Sequence, residues 1–497
     1  MTLDPDASRV AKSTTDETAA AVPLFEQVAE TVRTRIGERT LVPGDRAPSL
    51  RVLAHRLNVS VATVVRAYEQ LEREGRLTAR SRSGYFVAER PPIGGRRHLR
   101  RASAPTIPRP VRTGEHIDEI IESAREPGVV PFGLANPGSA LLPSKALARL
   151  LRASGASSPD TLLDYAPLAG EPALRHEIAA RASRLGAPVA AADVLVTSGA
   201  TEALALALGV LARAGETVVI ESPAYFGLLR LLENLGLSAI GIATDPVRGL
   251  DPAALEQVLA RERVAAVVSI GTFNNPTGSL VPEEARREIV EIVARHRVAL
   301  VEDDVYADLH AGERRPPLYR SVDGHGLVLT CSSFSKTVAP GFRIGWVISA
   351  AHHEALLRRK LVASGSSPKL TQLAMARFLA EGRYDRHLVR LRRAFREQLD
   401  SLRSAVHRHF PLGTECSEPA GGFVLWVRLP GGVDARELYR LAIVEGISLA
   451  PGSLFSTNRA FRNCLRLAAG EPWTPRHESA VARLGELARS LGSGKAR

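Results

Sequence analysis

The sequence predicts two unlike folded units in one chain, a small helical unit first and a large α/β unit after it. Three segments within the first 75 residues place apolar side chains at helical spacing. From about residue 117 onward, helical patterns alternate with short apolar runs, which predicts a mainly parallel sheet covered by helices on both faces. Between the two patterns, residues 90–113 are rich in Pro, Gly and Arg and contain no acidic residue, as expected of an extended linker.

The composition indicates a soluble protein with a polyanionic partner. The formal net charge of +12 over 497 residues is unusual for a plain metabolic enzyme. The 3 cysteines are widely separated and have no metal-ligand spacing, so we predict no metal site and a reduced, cytoplasmic setting. No apolar run is long enough for a transmembrane helix, and the polar first 20 residues are expected to be a disordered leader without a signal core.

The small unit has the plan of a winged helix-turn-helix. Helices are predicted over residues 23–39, 49–57 and 61–74, and short strands over residues 77–79 and 85–87. Ser49 and Ser60 stand where they can cap the second and third helices. Helix, three-residue turn, helix and basic hairpin together make the winged plan, in which the third helix enters the major groove of DNA.

Polar side chains on this plan are candidates for contact with DNA. Ser60, Thr63 and Arg66 on the third helix would meet phosphates or base edges, while Arg51 and Arg82 would hold the backbone. A three-helix packing module with a solvated basic face is the alternative that the pattern alone leaves open.

The stretch PSLRVLAHRLNVSVATVVRAYEQLEREGRLTARSRSGYFV resembles the DNA-binding domain of GntR-type bacterial regulators. The resemblance lies in Pro-Ser-x-Arg-x-Leu-Ala, Val-Ser-x-x-Thr-Val, Leu-x-x-Glu-Gly and a final Gly-x-Phe/Tyr-x-Val, at their joint spacing. It implies that Arg51, Thr63, Arg66 and the wing residue Gly84 contact DNA.

The strands of the large unit are expected to end at the residues that carry chemistry. Apolar runs predict strands over residues 194–197, 217–221, 239–242, 264–270, 298–302, 327–330 and 345–348. Ligands of such sheets bind beyond the carboxyl ends of the strands. A loop of small residues that enters a helix, as at 198–202, suits a phosphate but is also common in packing alone.

One stretch, residues 331–346 (CSSFSKTVAPGFRIGW), combines hydroxyls, an amine and a guanidinium at a strand end. Ser333, Ser335 and Arg343 are suited to a phosphate, because hydroxyls donate hydrogen bonds and Arg offers a bidentate fork. Lys336 among them could form a Schiff base with a carbonyl compound. Taken alone, a solvated surface lysine is the more ordinary interpretation.

Together with NNPTG and DDVY, this stretch resembles the fold type I aminotransferases, which bind pyridoxal 5′-phosphate; the resemblance runs from about residue 131 to the C-terminus. It implies a pyridoxal-phosphate-dependent transferase fold with a smaller C-terminal α+β subdomain. Lys336 would form the Schiff base, Asp303 would pair with the pyridine nitrogen, and Asn275 and Tyr306 would contact the ring hydroxyl, with Tyr225 stacked on the ring. The implied phosphate ligands are Gly199, Ala200, Thr201, Ser333, Ser335 and Arg343.

The same resemblance implies two further residues. Tyr165 would reach the phosphate site of a partner subunit, so a homodimer is expected, and Arg466 would bind a substrate carboxylate. One departure is notable: many regulators of this type have a tyrosine directly after the two acids, where this chain has Val305 and then Tyr306. The spacing matches authentic aminotransferases instead.

A GntR-like unit, a basic linker and an aminotransferase-like unit resemble the MocR subfamily of bacterial transcription regulators. The expected organisation is a leader (1–20), a winged helix (21–90), a flexible basic linker (91–125) and a cofactor-binding domain (126–497) with subdomains of about 166–350 and 351–497. The main hypothesis is a DNA-binding regulator that senses an amino acid or amine through Schiff-base exchange at Lys336. A working aminotransferase with an attached DNA-binding module and a sensor of the cofactor itself are the alternatives.

Overall fold

The computed structural model describes residues 23–37, 40–42, 44–73, 76–80, 84–87, 107–112, 116–157, 159–458 and 460–493. The expected leader, the first part of the expected linker and Arg82 lie outside these ranges. Contacts divide the chain into two compact units, one up to residue 97 and one from residue 98 onward. No helix in the described ranges is long and apolar enough to cross a membrane.

The first unit is the three-helix and hairpin arrangement that the sequence predicts. Its elements are α1 (Leu24–Gly37), α2 (Leu50–Leu57), α3 (Val61–Arg73), β1 (Leu77–Arg80) and β2 (Gly84–Val87). Both expected caps are present, because Ser49 Oγ accepts from the backbone N–H of Val52 and Ser60 Oγ from that of Thr63. Strands β1 and β2 pair antiparallel, with Leu77 opposite Val87. Val64, Ala67, Tyr68 and Leu71 of α3 are fully buried in its core.

The second unit alternates strands and helices over most of its length. It begins with β3 (Arg109–Pro110), α4 (His116–Ser123), β4 (Val130–Pro131), α5 (Ser144–Ser157), α6 (Pro172–Arg184), β5 (Val194–Thr197), α7 (Ala200–Leu211), β6 (Thr217–Ser222), α8 (Phe226–Asn234), β7 (Ser238–Ala243), α9 (Pro252–Leu259), β8 (Ala266–Ser269), α10 (Glu283–His296), β9 (Ala299–Asp303), β10 (Val328–Ser333) and β11 (Gly345–Ile348). It continues with α11 (His353–Ala363), α12 (Lys369–Ala380), α13 (Arg383–His409), β12 (Glu415–Cys416), β13 (Val424–Arg428), α14 (Ala435–Val444), β14 (Ile447–Ser448), β15 (Ala450–Pro451), β16 (Cys464–Ala468) and α15 (Pro475–Ser493).

Eight strands form the central sheet, in the order β3-β7-β6-β8-β9-β10-β11-β5. The five strands from β7 to β10 are parallel, whereas β11 runs antiparallel to both of its neighbours and β3 antiparallel to β7. All seven predicted strands are present, and the α/β fold class is confirmed. Because β6, β8, β9 and β10 point the same way, the loops that follow them meet at one edge of the sheet.

The prediction of a linker over 91–125 is wrong in its last part. Strand β3 pairs with β7 at the edge of the central sheet, and α4 is a regular helix. Apolar side chains explain this folding, since Val111, Ile117 and Ile120 are buried in the second unit. The Pro- and Arg-rich composition concealed these few apolar anchors.

A smaller sheet, in the order β12-β13-β16-β15, forms the core of the C-terminal part together with α13, α14 and α15. Strand β16 is fully buried and pairs antiparallel with β13 and β15. Arg466 lies at its centre, opposite Trp426 and Ala450. The strand therefore places a guanidinium inside the protein rather than at its surface.

Candidate functional site

Lys336 lies three residues beyond the end of β10, in the loop that leads to β11. Its Nζ donates to the backbone oxygen of Ala135 at 2.7 Å and to Oδ1 of Asn136 at 3.0 Å. Burial, reinforced by the cations of Arg466 and Arg343 and opposed by Asp303, lowers the pKa of this amine to about 8. A lysine with a lowered pKa offers a larger fraction of neutral, nucleophilic amine near neutral pH.

Arg466 is completely buried and has no carboxylate partner within the described residues. Nη1 donates to Oδ1 of Asn275 at 3.4 Å and Nη2 to the backbone oxygen of Gly133, while Nε has no hydrogen-bond partner. Burial lowers the pKa of this guanidinium to about 10. A buried guanidinium with spare donors is a strong site for a carboxylate that comes from a ligand.

Asp303 ends strand β9 and is 6% exposed. Its Oδ1 is buried without a hydrogen-bond partner. Burial, with the neighbouring Asp304, raises the pKa of this carboxyl group to about 7. An unpartnered buried carboxyl group is costly for the protein alone, and a cationic N–H group from a ligand would satisfy it.

Asn275 and Tyr306 come together although 31 residues separate them, because the loops after β8 and β9 meet at the sheet edge. The amide Nδ2 of Asn275 donates to the Tyr306 hydroxyl at 3.3 Å. Burial raises the pKa of both Tyr306 and Tyr225, and Asp303 raises each further, so both phenols are neutral donors near this site. The departure at Val305 leaves the Tyr306 contact intact.

Hydroxyl, guanidinium and backbone N–H groups gather around the start of α7. Arg343 crosses to the loop after β5, where Nη2 donates to the backbone oxygen of Ser198 at 2.6 Å. Gly199 precedes α7 with φ +95°, and a Cβ there would lie 2.5 Å from Nη2 of Arg343. Ser335 Oγ is buried without a partner, and Ser333 Oγ accepts from the N–H of Ser335 at 3.3 Å. Ala200 and Thr201 form the first turn of α7, whose N–H groups and dipole suit an anion.

Gly345, at the start of β11, lies against the loop before α7. We call the groups gathered around the start of α7 the phosphate cradle. A Cβ at Gly345 would lie 2.4 Å from the carbonyl carbon of Gly199 and 2.7 Å from the backbone nitrogen of Ala200. Strand β11 and the loop before α7 therefore touch through their backbones. Residue 345 was expected only as the start of a strand, and its packing role had no sequence signal beyond the glycine itself.

A buried ionic network that the sequence did not predict lies next to Asp303. Arg315 pairs with Asp304 and, through Nε at 2.7 Å, with Oδ1 of Asp308. The hydroxyl of Tyr384 on α13 donates to Oδ2 of Asp308 at 2.6 Å and lies 3.2 Å from the hydroxyl oxygen Oγ1 of Thr337. Although burial opposes ionisation, Arg315 and Arg181 hold the pKa of Asp308 down at about 2. The spacing of Asp304 and Asp308 hinted at a pair, but Arg315 and Tyr384 follow no motif.

A second missed residue is Glu221, at the end of β6. It accepts from the backbone N–H of Ile270 at 2.9 Å and from Nδ2 of Asn274 at 2.6 Å. Burial raises the pKa of Glu221 to about 6. The residue fixes the loop that carries Asn275, and an acid that ends an apolar strand was its only sequence signal.

The candidate DNA-contacting residues of the first unit have unequal surroundings. Arg51 is exposed on α2, and Gly84 starts β2 with φ +95° beside the guanidinium of Arg46. The hydroxyls of Ser60 and Thr63 lie 2.8 Å apart, and the Arg66 guanidinium lies 4.2 Å from the centre of the Phe25 ring. Arg82 lies outside the described residues.

Tyr165 stands apart from these groups. Its side chain is 91% exposed, in the segment between α5 and α6. It makes none of the contacts that unite Lys336, Asp303 and Arg466. Its expected role in a partner subunit therefore stays a prediction.

These residues fit pyridoxal 5′-phosphate on the evidence of their unsatisfied groups. Asp303 Oδ1, Ser335 Oγ and Arg466 Nε are buried polar atoms without partners, and they correspond to a ring nitrogen, a phosphate and a carboxylate. Lys336 lies among these residues with a lowered pKa. The arrangement defines a lysine-centred site that would hold a phosphorylated aldehyde and a carboxylate-bearing amine.

Comparison with known proteins gives the same two parts. Residues 134–476 match the family Aminotransferase class I and II, and residues 24–87 match Bacterial regulatory proteins, gntR family. The chain is 36% identical to the uncharacterized HTH-type transcriptional regulator YdcR of Escherichia coli, over 93% of this chain and 98% of that protein. It is 29% identical to the probable rhizopine catabolism regulatory protein MocR of Rhizobium meliloti, with 87% of each chain covered.

Among solved structures, the second unit is similar to LysN, an α-aminoadipate aminotransferase of Thermus thermophilus complexed with N-(5′-phosphopyridoxyl)-L-leucine. The TM-score is 0.71 at 30% identity, over 76% of this chain and 96% of that one. The fold and site thus define a DNA-binding regulator with an aminotransferase-type domain. The chain belongs to the MocR subfamily of GntR-type regulators, and its large unit belongs to the class I and II aminotransferase family.

Proposed function

We propose that the protein is a pyridoxal-phosphate-dependent, sequence-specific transcriptional regulator that senses an amino compound at Lys336. One observation supports this most directly: three unsatisfied buried groups, on Asp303, Ser335 and Arg466, belong to the site of Lys336 in a chain that also carries a helix-turn-helix unit. The effector is an amine or amino acid, and the carboxylate-binding character of Arg466 favours an amino acid.

The chain's own residues have separable tasks in this proposal. When bound, pyridoxal 5′-phosphate supplies an aldehyde that condenses with amines and a ring that withdraws electrons. Lys336 would provide the resident amine, and Asp303 would provide a carboxylate for the ring nitrogen. Asn275 and Tyr306 would orient the ring hydroxyl, while Tyr225 would pack on the ring. The residues that would hold the phosphate are Gly199, Ala200, Thr201, Ser333, Ser335 and Arg343.

Effector binding would compete with Lys336 for the same aldehyde. Arg466 would hold the carboxylate of the amino acid, so that the ligand's amine could replace the amine of Lys336 on the cofactor. A proton of the incoming amine would pass to Nζ, and the freed Lys336 amine could then donate to the backbone oxygen of Ala135 and to Oδ1 of Asn136 as it does in this structure. Such a ligand changes DNA affinity only if it binds the two conformations of the protein unequally.

A working aminotransferase is the second candidate, because amine, ring acid, phosphate cradle and carboxylate clamp are all present. LysN, the solved relative at 30% identity, is an α-aminoadipate aminotransferase. Steady turnover of an amino acid with a 2-oxo acid, together with binding that does not distinguish DNA sequences, would favour this function. A third candidate, in which the cofactor itself is the signal, requires that pyridoxal phosphate alone alter DNA affinity.

The test combines absorbance and DNA binding on one preparation. Full-length protein and a Lys336→Ala variant are loaded with pyridoxal phosphate, titrated with amino acids and amines, and assayed on operator DNA. We expect a visible Schiff-base band, an amine-dependent change in that band, and a parallel change in DNA affinity, all absent from the variant. Lys145→Ala, which removes an exposed lysine of α5, is the control and should behave as wild type.

A Schiff-base band with no effect of any amine on DNA affinity would contradict the sensor proposal.

The proposed setting is the bacterial cytoplasm, with the protein on the nucleoid when it is bound to DNA. The proposed assembly is a homodimer that presents two winged helices to repeated half-sites.

A further inference from the structure

The first turn of α3 carries few free polar groups although it begins the helix expected in the major groove. Ser60 Oγ accepts from the N–H of Thr63 at 3.1 Å, and the two hydroxyls lie 2.8 Å apart. Ser60 is therefore used in capping the helix and the Thr63 hydroxyl contacts it, so neither hydroxyl has its full hydrogen-bonding capacity left for a base edge.

Arg66, one turn further along α3, is also engaged. Its guanidinium lies 4.2 Å from the centre of the Phe25 ring on α1, a cation–π arrangement within the unit. The long side chain is thus directed toward α1. Arg66 remains exposed, which is compatible with contact to a phosphate.

The side chains left at the front of the helix are apolar. Val61 is 44% exposed, and Ala62 beside it is exposed as well. In a helix-turn-helix the first residues of the second helix contact base edges. Single exposed apolar residues are ordinary on protein surfaces. Here, however, two adjacent ones begin α3, the part of a helix-turn-helix that contacts base edges.

Charge on the same unit identifies the occupant of this surface as DNA. Arg51 and Arg56 are exposed on α2, and the Arg46 guanidinium lies beside Gly84 at the start of the wing strand β2. These cations suit phosphates on either side of an inserted helix. The positive charge on this unit therefore favours DNA over a hydrophobic protein partner for the surface that carries Val61 and Ala62.

We infer that Val61 and Ala62 recognise the 5-methyl groups of thymines in the major groove, so that operator specificity rests on methyl contacts more than on hydrogen bonds to base edges. The inference rests on the proposed DNA-binding function. The thymine methyl is the one apolar group that a base pair presents in the major groove, and it accepts contact from small apolar side chains. The operator is thus expected to carry a thymine opposite the start of α3 in each half-site.

The test replaces thymine by uracil, which removes the methyl group and keeps base pairing. An operator is selected with the full-length cofactor-loaded protein, and each thymine is then replaced singly before affinity is measured at fixed salt. We expect one or two positions per half-site at which uracil weakens binding about fourfold, the factor for one buried methyl group. Replacement of thymines outside the two half-sites by uracil should not change the affinity.

A double-mutant cycle assigns the contact to the side chain. Val61→Ala should weaken binding to the thymine operator and lose most of its sensitivity to uracil at the matching position. Leu24→Ala, which shortens an exposed apolar residue of α1, should keep that sensitivity. If specific binding persists and uracil has no effect at any position, the inference is wrong. If the protein does not distinguish the operator from other DNA, the proposed function itself fails.

Discussion

At the scale of single residues, the burial of Lys336 leads to a pH dependence that can be measured. Its pKa is lowered to about 8, below the 10.5 of an ordinary lysine, so the neutral amine predominates above pH 8 rather than above pH 10. We expect capture of pyridoxal phosphate by the cofactor-free protein to rise about tenfold per pH unit below 8 and to level off above it. Borohydride trapping followed by mass spectrometry measures the fraction of modified Lys336. If the trapped fraction of Lys336 continued to rise past pH 9.5, as it would for a surface lysine, the lowered pKa would be contradicted.

Asp303 gives a prediction in which stability and cofactor binding change in opposite directions. The pKa of this acid is raised in the folded protein to about 7, so its ionised form costs stability increasingly as pH rises from about 4 to 7. Asp303→Asn removes that cost, and the cofactor-free variant should melt several degrees higher than wild type at pH 8 and equally at pH 4. The variant also loses a charge-assisted hydrogen bond to the ring, so cofactor affinity should fall roughly ten- to hundredfold. Unchanged affinity would remove Asp303 from the cofactor site.

At the scale of elements, the backbone contact between β11 and the loop before α7 can be tested with two glycines of one segment. Gly345→Ala would place a methyl group 2.4 Å from the carbonyl carbon of Gly199, so the cradle must shift. Gly341→Ala meets no atom within 4 Å and serves as the matched control. We expect cofactor affinity to fall at least about tenfold for Gly345→Ala, since a displaced cradle loses a charge-assisted hydrogen bond. Equal affinity of the two variants would show that the loop accommodates the methyl group.

The network next to Asp303 links helix α13 to the lysine loop. Tyr384→Phe removes the hydroxyl that joins Asp308 to Thr337, and we expect a loss of about 2 kcal/mol in the free energy of unfolding, the value for a hydrogen bond to a charged group. The losses in the free energy of unfolding caused by Tyr384→Phe and by Asp308→Asn should not add in the double variant, because the two residues share one interaction. Thermal unfolding of the cofactor-loaded wild type, the two single variants and the double variant measures this. Additive losses would mean that the two residues act separately.

Most strands of the central sheet could be predicted from the sequence, whereas the buried ionic network next to Asp303 could not. The strand at Val194–Thr197 was predicted with its observed ends, because three consecutive apolar residues and a β-branched threonine stand between Asp193 and Ser198. Strand β3 was missed, since a Pro-Arg pair has no strand signal and only Val111 anchors it. Arg315 and Tyr384 were missed for a different reason: their partners are set by the fold, 7 and 76 residues away. Sequence motifs identify the residues that carry the chemistry of a site. The residues that support them cannot be identified in this way, because only the packing of the fold brings them together.

At the scale of the whole molecule, each candidate site contains groups from distant parts of one subunit. Lys336 binds Asn136, and Arg466 binds Asn275 across 191 residues. Tyr165 lies outside that set, with a side chain that is 91% exposed. A side chain so exposed is accessible to a second subunit, and contact with that subunit is the role that the resemblance to fold type I aminotransferases implies for it. We therefore expect Tyr165 to complete the phosphate site of a second subunit.

Subunit mixing tests this expectation. Tyr165→Ala should bind the cofactor weakly, and Lys336→Ala should give no Schiff-base band. In a mixed dimer, the Lys336 of one subunit is joined by the Tyr165 of the other, so one native site forms. With equal amounts and free exchange, about a quarter of all sites should recover tight binding, as two-fold symmetry requires. Absorbance at limiting cofactor measures the recovery. If subunit exchange is confirmed by tagged subunits and no tight fraction forms, Tyr165 does not act on its partner.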